Sequence, residues 1–317
     1  MRNLKLLREA ILYQCHQRPR DVIQEWLFSL PPWDETPRLT EWLVRLCEAP
    51  DTAYTREVGR LLLVSLVARA LNPGCQCRSV VIFEGKEDIG KSKLVELIAS
   101  PDWYRDVSGS LEGKEAHMLM KGAWIVELSE LATMGKTEEN RLKSFITMAN
   151  DAYVPKYEND PIKQARRTIL VGTVNPEGDG RYFKGQTGNT RFYPVPVTSV
   201  DLAYMAKIRA QLFAEALHYY QERPDTWWQL SPAADAGARE QREERRQASV
   251  YEEPLSEWLR GRTETSFADV AKDCLHMPME RWTKSVQMDV ARALVACNWH
   301  RAQRKSGGKK RDVWIPA

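Results

Sequence analysis

Residues 81–94 read VVIFEGKEDIGKSK. An apolar run ends at Gly85, four mixed residues follow, and then come Gly90, Lys91 and Ser92. The spacing is G-x-x-x-x-G-K-[ST], set between a predicted strand and a predicted helix. Each residue type has a chemical reason. Glycines let backbone N–H groups curl around phosphates, and the N-terminus of the following helix adds its dipole. Lys91 would reach the β- and γ-phosphates, and the Ser92 hydroxyl would ligate Mg²⁺. The expected nucleotide-binding set is Gly85, Ile89, Gly90, Lys91, Ser92 and Lys93, with ATP and Mg²⁺ as cofactors. A glycine-containing surface turn can carry the same letters, so the surrounding chain has to decide between them.

Working outward, short β-rich runs alternate with helical stretches. SVVIFEG (79–85), AWIVEL (123–128) and RTILVGTVN (167–175) read as strands. GKSKLVELIAS and EENRLKSFITMAN between them read as helices. Such alternation predicts an α/β fold with a mainly parallel, helix-covered sheet. FYPVPV (192–197) fits an edge strand, because its prolines cannot donate to an interior ladder. A strong amphipathic helix is expected at 201–222. The second strand ends in acids, Glu127 and Glu130. One would hold the Mg²⁺ shell and the other would polarise the attacking water, with the assignment open. The third ends in Asn175, which can orient that water, although Asn-Pro alone commonly means a turn.

The chain has 317 residues, 28% of them charged and 43% hydrophobic, with a net charge of +3. That is ordinary globular composition. No apolar run approaches the ~20 residues that span a bilayer. LLLVSLVARAL (61–71) reads as a core helix. Cys75 and Cys77 lack the second pair a zinc site needs, and free thiols point to a reducing cytoplasm. Four regions are expected: an N-terminal helical region (1–74), an ATPase domain with helical lid (75–230), a polar helix or linker (231–250) and a C-terminal DNA-binding domain (251–317). Trp26, Trp33 and Trp42 fit core packing better than base stacking.

Several further motifs occur in a specific order: PWDETPRLTEWL (32–43), GKEDIGKSK (85–93), WIVELSEL (124–131), LKSFIT (142–147), DAYVPKY (151–157), VGTVNP (171–176) and TGNTRFYPV (187–195). In these the chain resembles the virulence-associated protein E family of prophages and other mobile elements. The resemblance implies an AAA+ P-loop core close to the superfamily-3 helicases, a homo-hexameric ring and a bacterial host cytoplasm. It also implies that Arg191 acts as an arginine finger on the neighbouring subunit's γ-phosphate. Two departures stand out. Glu87-Asp88 replace the usual Gln-Gly in the loop, and Thr190 replaces the first of two arginines before Phe192.

Two segments point to DNA. YVPKYENDPIKQARR predicts a hairpin around Asn159-Asp160. In superfamily-3 helicases a hairpin at this place lines the ring channel, which would make Lys156 and Lys163 sequence-blind phosphate contacts, with Arg166 and Arg167 near the base. At the C-terminus, three helices precede a strand, a Gly307-Gly308 turn and a strand. This resembles a winged helix whose basic wing carries Arg301, Arg304, Lys305, Lys309, Lys310 and Arg311. The expected function is a ring-forming, ATP-dependent DNA helicase acting in replication, with a primase on another chain. The alternative is an ATP-switched DNA-binding initiator with little unwinding.

Overall fold

The computed structural model describes residues 6, 7, 10, 11, 13, 14 and 20–317, apart from 110, 130, 155–160, 177, 179, 185–188, 307 and 308; for 136, 305, 306, 309 and 310 it describes the backbone alone. The described chain divides into two compact units, 1–246 and 247–317.

In the first unit, the strands are β1 (Val80–Glu84), β2 (Tyr104–Val107), β3 (Ile125–Leu128), β4 (Asn150–Tyr153), β5 (Ile162–Ala165), β6 (Ile169–Val174) and β7 (Phe192–Pro196). Five of them form one sheet in the order β2-β3-β6-β1-β7, and every pairing in it is parallel. β7 lies at an edge, as its prolines predict. β2 is the opposite edge and has no counterpart in the sequence reading. It is four residues long and only half-buried, too short for a period-2 pattern to show.

Because side chains alternate along a strand, the sheet serves two cores. Val81 and Phe83 face one, with α3 (Ala53–Leu71), α4 (Lys91–Ala99) and α7 (Leu202–Glu222) packed over it. Val80 and Ile82 face the other, under α5 (Gly113–Leu119) and α6 (Lys136–Ile146). α3 follows α1 (Val22–Phe28) and α2 (Trp42–Cys47), and it is buried on all sides from Val58 to Ala70. Trp42 is buried, and Trp26 packs edge-on against Trp103, Trp124 and Phe213, so both serve the core. No helix among the described residues is long and apolar enough to cross a membrane.

Of the two forms expected for the polar stretch 231–249, helix or linker, the structure has a helix, α8 (Pro232–Glu244), and one face of it is not solvated. Ala234, Ala238 and Arg242 are buried on its inner face. Gly237 explains the close docking, since a Cβ there would stand 2.9 Å from Cβ of Tyr54 in α3.

The second unit contains α9 (Glu252–Trp258), the turn Phe267–Asp269 that continues as a π-helical segment Val270–Cys274, a helix Lys284–Ala296, and two strands, Trp299–Ser306 and Lys309–Pro316. The strands form an antiparallel hairpin. Thr265 adds a short bridge, its N–H donating to Trp314 O at 2.9 Å and its carbonyl accepting from Trp314 N–H at 2.7 Å. Leu255, Leu259, Val270, Val290, Ala293, Leu294 and Trp299 close the core of this unit.

Candidate functional site

The carboxyl ends of β1, β3 and β6 lie side by side, the usual location of ligands in open α/β sheets. β1 runs into the loop 85–90, and α4 starts at Lys91 with Gly90 at φ 94° before it. Gly85 leaves no room for a side chain, since a Cβ would stand 2.3 Å from Val197 O, where the chain leaves β7. Ile89 closes the same space from within the loop, its Cδ1 standing 2.7 Å from that Cβ position.

Lys91 folds back into this loop and is buried. Its Nζ donates to Gly85 O at 2.9 Å, Lys86 O at 2.5 Å and Asn175 Oδ1 at 2.7 Å. Burial pushes the ammonium below its ordinary pKa, while Glu127, and then Glu87 and Asp88, push it back up. Ser92 donates its hydroxyl to Glu127 Oε1 at 2.6 Å. Glu127 is fully buried and accepts two more hydroxyls, from Thr173 to Oε1 at 2.6 Å and from Tyr104 to Oε2 at 2.7 Å. Burial, and then the bond to Glu127, push the Tyr104 phenol well above its usual range, so it remains a donor.

The structure therefore gathers Gly85, Ile89, Gly90, Lys91, Ser92, Glu127 and Asn175 into one cluster. An ammonium beside backbone amides at a helix start suits phosphate oxygens. A hydroxyl and a carboxylate 2.6 Å apart suit a hard cation that takes oxygen ligands. Lys93 points away and pairs with Glu96 at 2.7 Å. Glu130 lies outside the described residues. Tyr104 and Thr173 are additions to the set. Thr173 had a signal, a hydroxyl in an otherwise apolar strand end, whereas Tyr104 belongs to the strand that the sequence concealed.

Arg191 is not part of this cluster. It precedes Phe192, which pairs with Val80 at the start of β1, whereas Gly85 follows the end of β1. Five residues of strand separate the two places, roughly 16 Å.

The hairpin expected at 151–168 is present as β4 and β5, antiparallel. Its tip, with Lys156, lies outside the described residues. Lys163 is exposed on β5. Arg166, expected near a phosphate grip, is instead buried. Its guanidinium donates to both Asp151 oxygens and to Phe145 O, and it lies over the Phe145 ring at 4.2 Å. Arg167 pairs with Asp21. Both arginines therefore hold structure rather than stand ready for a ligand. His117 joins the same cluster, its Nδ1 2.9 Å from Asp151 Oδ1.

On the C-terminal hairpin, the expected basic strip is partly neutralised. Arg301 pairs across the strands with Asp312, and Arg304 and Arg311 both reach Glu264, at 3.0 and 3.1 Å. The side chains of Lys305, Lys309 and Lys310 lie outside the described residues.

Solved structures of the NrS-1 C-terminal region are similar to the chain. The A-form apo structure is 14% identical, covers 92% of this chain and 78% of its own, and has a TM-score of 0.47. A second apo structure of that region is 13% identical over the same shares, with a TM-score of 0.44. No curated protein matches. The virulence-associated protein E-like domain matches residues 27–247, a span that holds the parallel sheet, the Lys91 and Glu127 cluster and the β4–β5 hairpin; the chain belongs to the virulence-associated protein E-like family.

Proposed function

We propose that this chain is the motor of a ring-forming, ATP- and Mg²⁺-dependent DNA helicase that serves replication of a phage or other mobile element in a bacterial cytoplasm. One observation carries the reading. Lys91 Nζ meets Gly85 O and Asn175 Oδ1 while Ser92 Oγ meets Glu127, all at the carboxyl edge of a parallel sheet. In this reading the loop 85–90 is a P-loop. Lys91 holds the β- and γ-phosphates, and Ser92 and Glu127 hold the cation. Mg²⁺, when bound, would neutralise charge that develops on the transferred phosphoryl group.

Three hydroxyl donors on a fully buried Glu127 favour it as the acid of the metal shell. That leaves Glu130 to polarise the water, with Asn175 orienting it. Arg191 serves the neighbour's site, because its own loop lies at the far end of β1. Lys156 and Lys163 would follow single-stranded DNA in the channel. The second unit acts as a winged helix on duplex DNA, with the wing lysines and the exposed face around Lys284 as contacts. A primase would come from another chain.

The test is strand displacement on a forked duplex, with Lys91→Ala, Lys156→Ala and Lys163→Ala as controls. Unwinding that Lys91→Ala abolishes and the hairpin variants weaken is expected. DNA-stimulated ATP hydrolysis without displacement would replace the motor with an ATP-switched initiator. A chain that neither binds nor splits ATP would refute both.

A further inference from the structure

Glu84 ends β1 and directly precedes Gly85, yet its side chain takes no part in the Lys91 cluster. The carboxylate is buried, at 5% exposure. Arg245 Nε stands 2.6 Å from its Oε1 and 2.7 Å from its Oε2. Tyr182 donates its hydroxyl to Oε1, and burial, with Glu84 next, keeps that phenol protonated far above its usual range. Arg245 follows the last residue of α8 and is itself fixed, its Nη1 donating to Gln241 O at 2.9 Å. Beside it, Phe183 N–H donates to Arg245 O at 2.9 Å, and Phe183 and Arg246 form a parallel bridge.

Three segments are thereby joined: the strand end that launches the loop around Lys91, the loop that follows Asn175, and the end of α8. A buried ion pair adds little to stability that an apolar pair of similar volume would not add. Its charge-assisted contact, one Nε–H shared by both carboxylate oxygens, does fix the relative position of the segments that carry it. The pair joins the strand end to the end of α8, and Tyr182 adds the loop that follows Asn175, whose Oδ1 meets Lys91 Nζ at 2.7 Å.

We propose that Arg245 is a positioning residue for the nucleotide reaction. Through Glu84 it sets the strand end from which the phosphate-binding loop departs, and through Glu84 and Tyr182 it locks that strand end to the Asn175 loop. The catalytic consequence rests on the ATPase reading above; the positioning itself does not.

The experiment uses the full chain and four variants: Arg245→Gln, Arg245→Lys, Glu84→Gln and Tyr182→Phe. Backbone hydrogen exchange without nucleotide is followed over 84–92 and 175–183, and ATP turnover is measured in parallel. Arg245→Gln and Glu84→Gln should speed exchange in those two windows and leave 53–71 unchanged. KM for ATP should rise about tenfold, with a smaller fall in kcat, because the loop is misplaced rather than its ligands removed. Tyr182→Phe should show a weaker form of both effects, and Arg245→Lys should restore them in part. If single variants do not fold, Glu84→Gln with Arg245→Met removes both charges of the pair, so that neither is left buried alone, and carries the same measurements. Unchanged exchange in the two windows, a uniform rise across the sheet, or faster exchange with unchanged KM would each overturn the proposal. A wild-type chain that does not split ATP would refute the ATPase reading and, with it, the proposed role of Arg245, while the exchange readout would still report whether the lock exists.

Discussion

Asp88 is one of six described non-glycine residues with positive φ, at 60°, and it stands where the family usually places glycine. Aspartate is among the side chains that tolerate this region, so the loop keeps its shape without the glycine. The acid has an electrostatic effect instead. After Glu127 and Glu87, it supports the charge of Lys91 against burial, and in the proposed ATP site it would stand as a negative charge near a polyphosphate. Asp88→Gly keeps the backbone unstrained and removes the repulsion. It should tighten ATP binding by about two- to fivefold at low salt, a gain that fades as salt screens it. Titration with a fluorescent ATP analogue at two salt concentrations checks this, and equal affinities at low salt would refute it. A second prediction concerns Tyr104. Tyr104→Phe removes one of three hydroxyls from Glu127 and leaves Ser92 and Thr173 in place. The Mg²⁺ concentration that gives half-maximal ATP hydrolysis should rise several-fold, with a smaller change in the rate at saturating Mg²⁺. Lys91 and Ser92 were legible in the sequence because a motif fixes their spacing, and Glu127 and Asn175 because each stands at the end of an apolar strand run. Tyr104, Glu84, Tyr182 and Arg245 were not, because they meet only through sheet order and through a helix 161 residues away from Glu84 in the chain.

At the level of elements, the hairpin separates two kinds of basic residue that the sequence presented as one group. Arg166, just past β5, is buried against Asp151, whereas Lys163 on β5 is exposed. Arg166→Ala strands a buried carboxylate and should cost about 3–5 kcal/mol in urea unfolding. Lys163→Ala should stay within about 0.5 kcal/mol of wild type and weaken single-stranded DNA binding. Equal stability losses would contradict this division. Another buried charge, Glu215 in α7, accepts the N–H groups of Arg38 and Leu39 at 2.8 and 2.9 Å, and burial raises its pKa. A raised folded pKa means that the native state binds more protons than the unfolded state just above the ordinary carboxylate range. Stability therefore falls there as pH rises. Glu215→Gln keeps an acceptor for both amides and does not titrate. Its unfolding free energy relative to wild type should increase from pH 4 towards pH 7, and a flat difference would exclude the effect. Strand and helix periodicity made most elements legible. For α8 the sequence left helix and linker open and hid the docking, because its inner face is Ala234, Ala238 and the small Gly237, which pack by close approach and contribute little hydropathy.

At the scale of the whole molecule, sheet order makes a prediction that no single residue makes. β7 pairs with β1 in parallel, so Arg191 and the loop 85–90 lie at opposite ends of the same two strands. An arginine side chain reaches about 7 Å, less than half of the roughly 16 Å between those ends. If Arg191 acts on a γ-phosphate, it acts on another subunit's, and each site is completed by two chains. Lys91→Ala and Arg191→Ala should then each abolish ATP turnover alone. In an equal mixture that exchanges subunits, a working site needs a chain with Lys91 intact beside a chain with Arg191 intact. For a head-to-tail ring of randomly mixed subunits that is one half times one half, about a quarter of all sites. The mixture should regain up to about that fraction of wild-type turnover, appearing only under conditions where mass measurement with DNA and a non-hydrolysable ATP analogue shows oligomers. A mixture that exchanges subunits yet stays as inactive as its components would remove Arg191 from the neighbour's site, and with it the main reason to expect a ring.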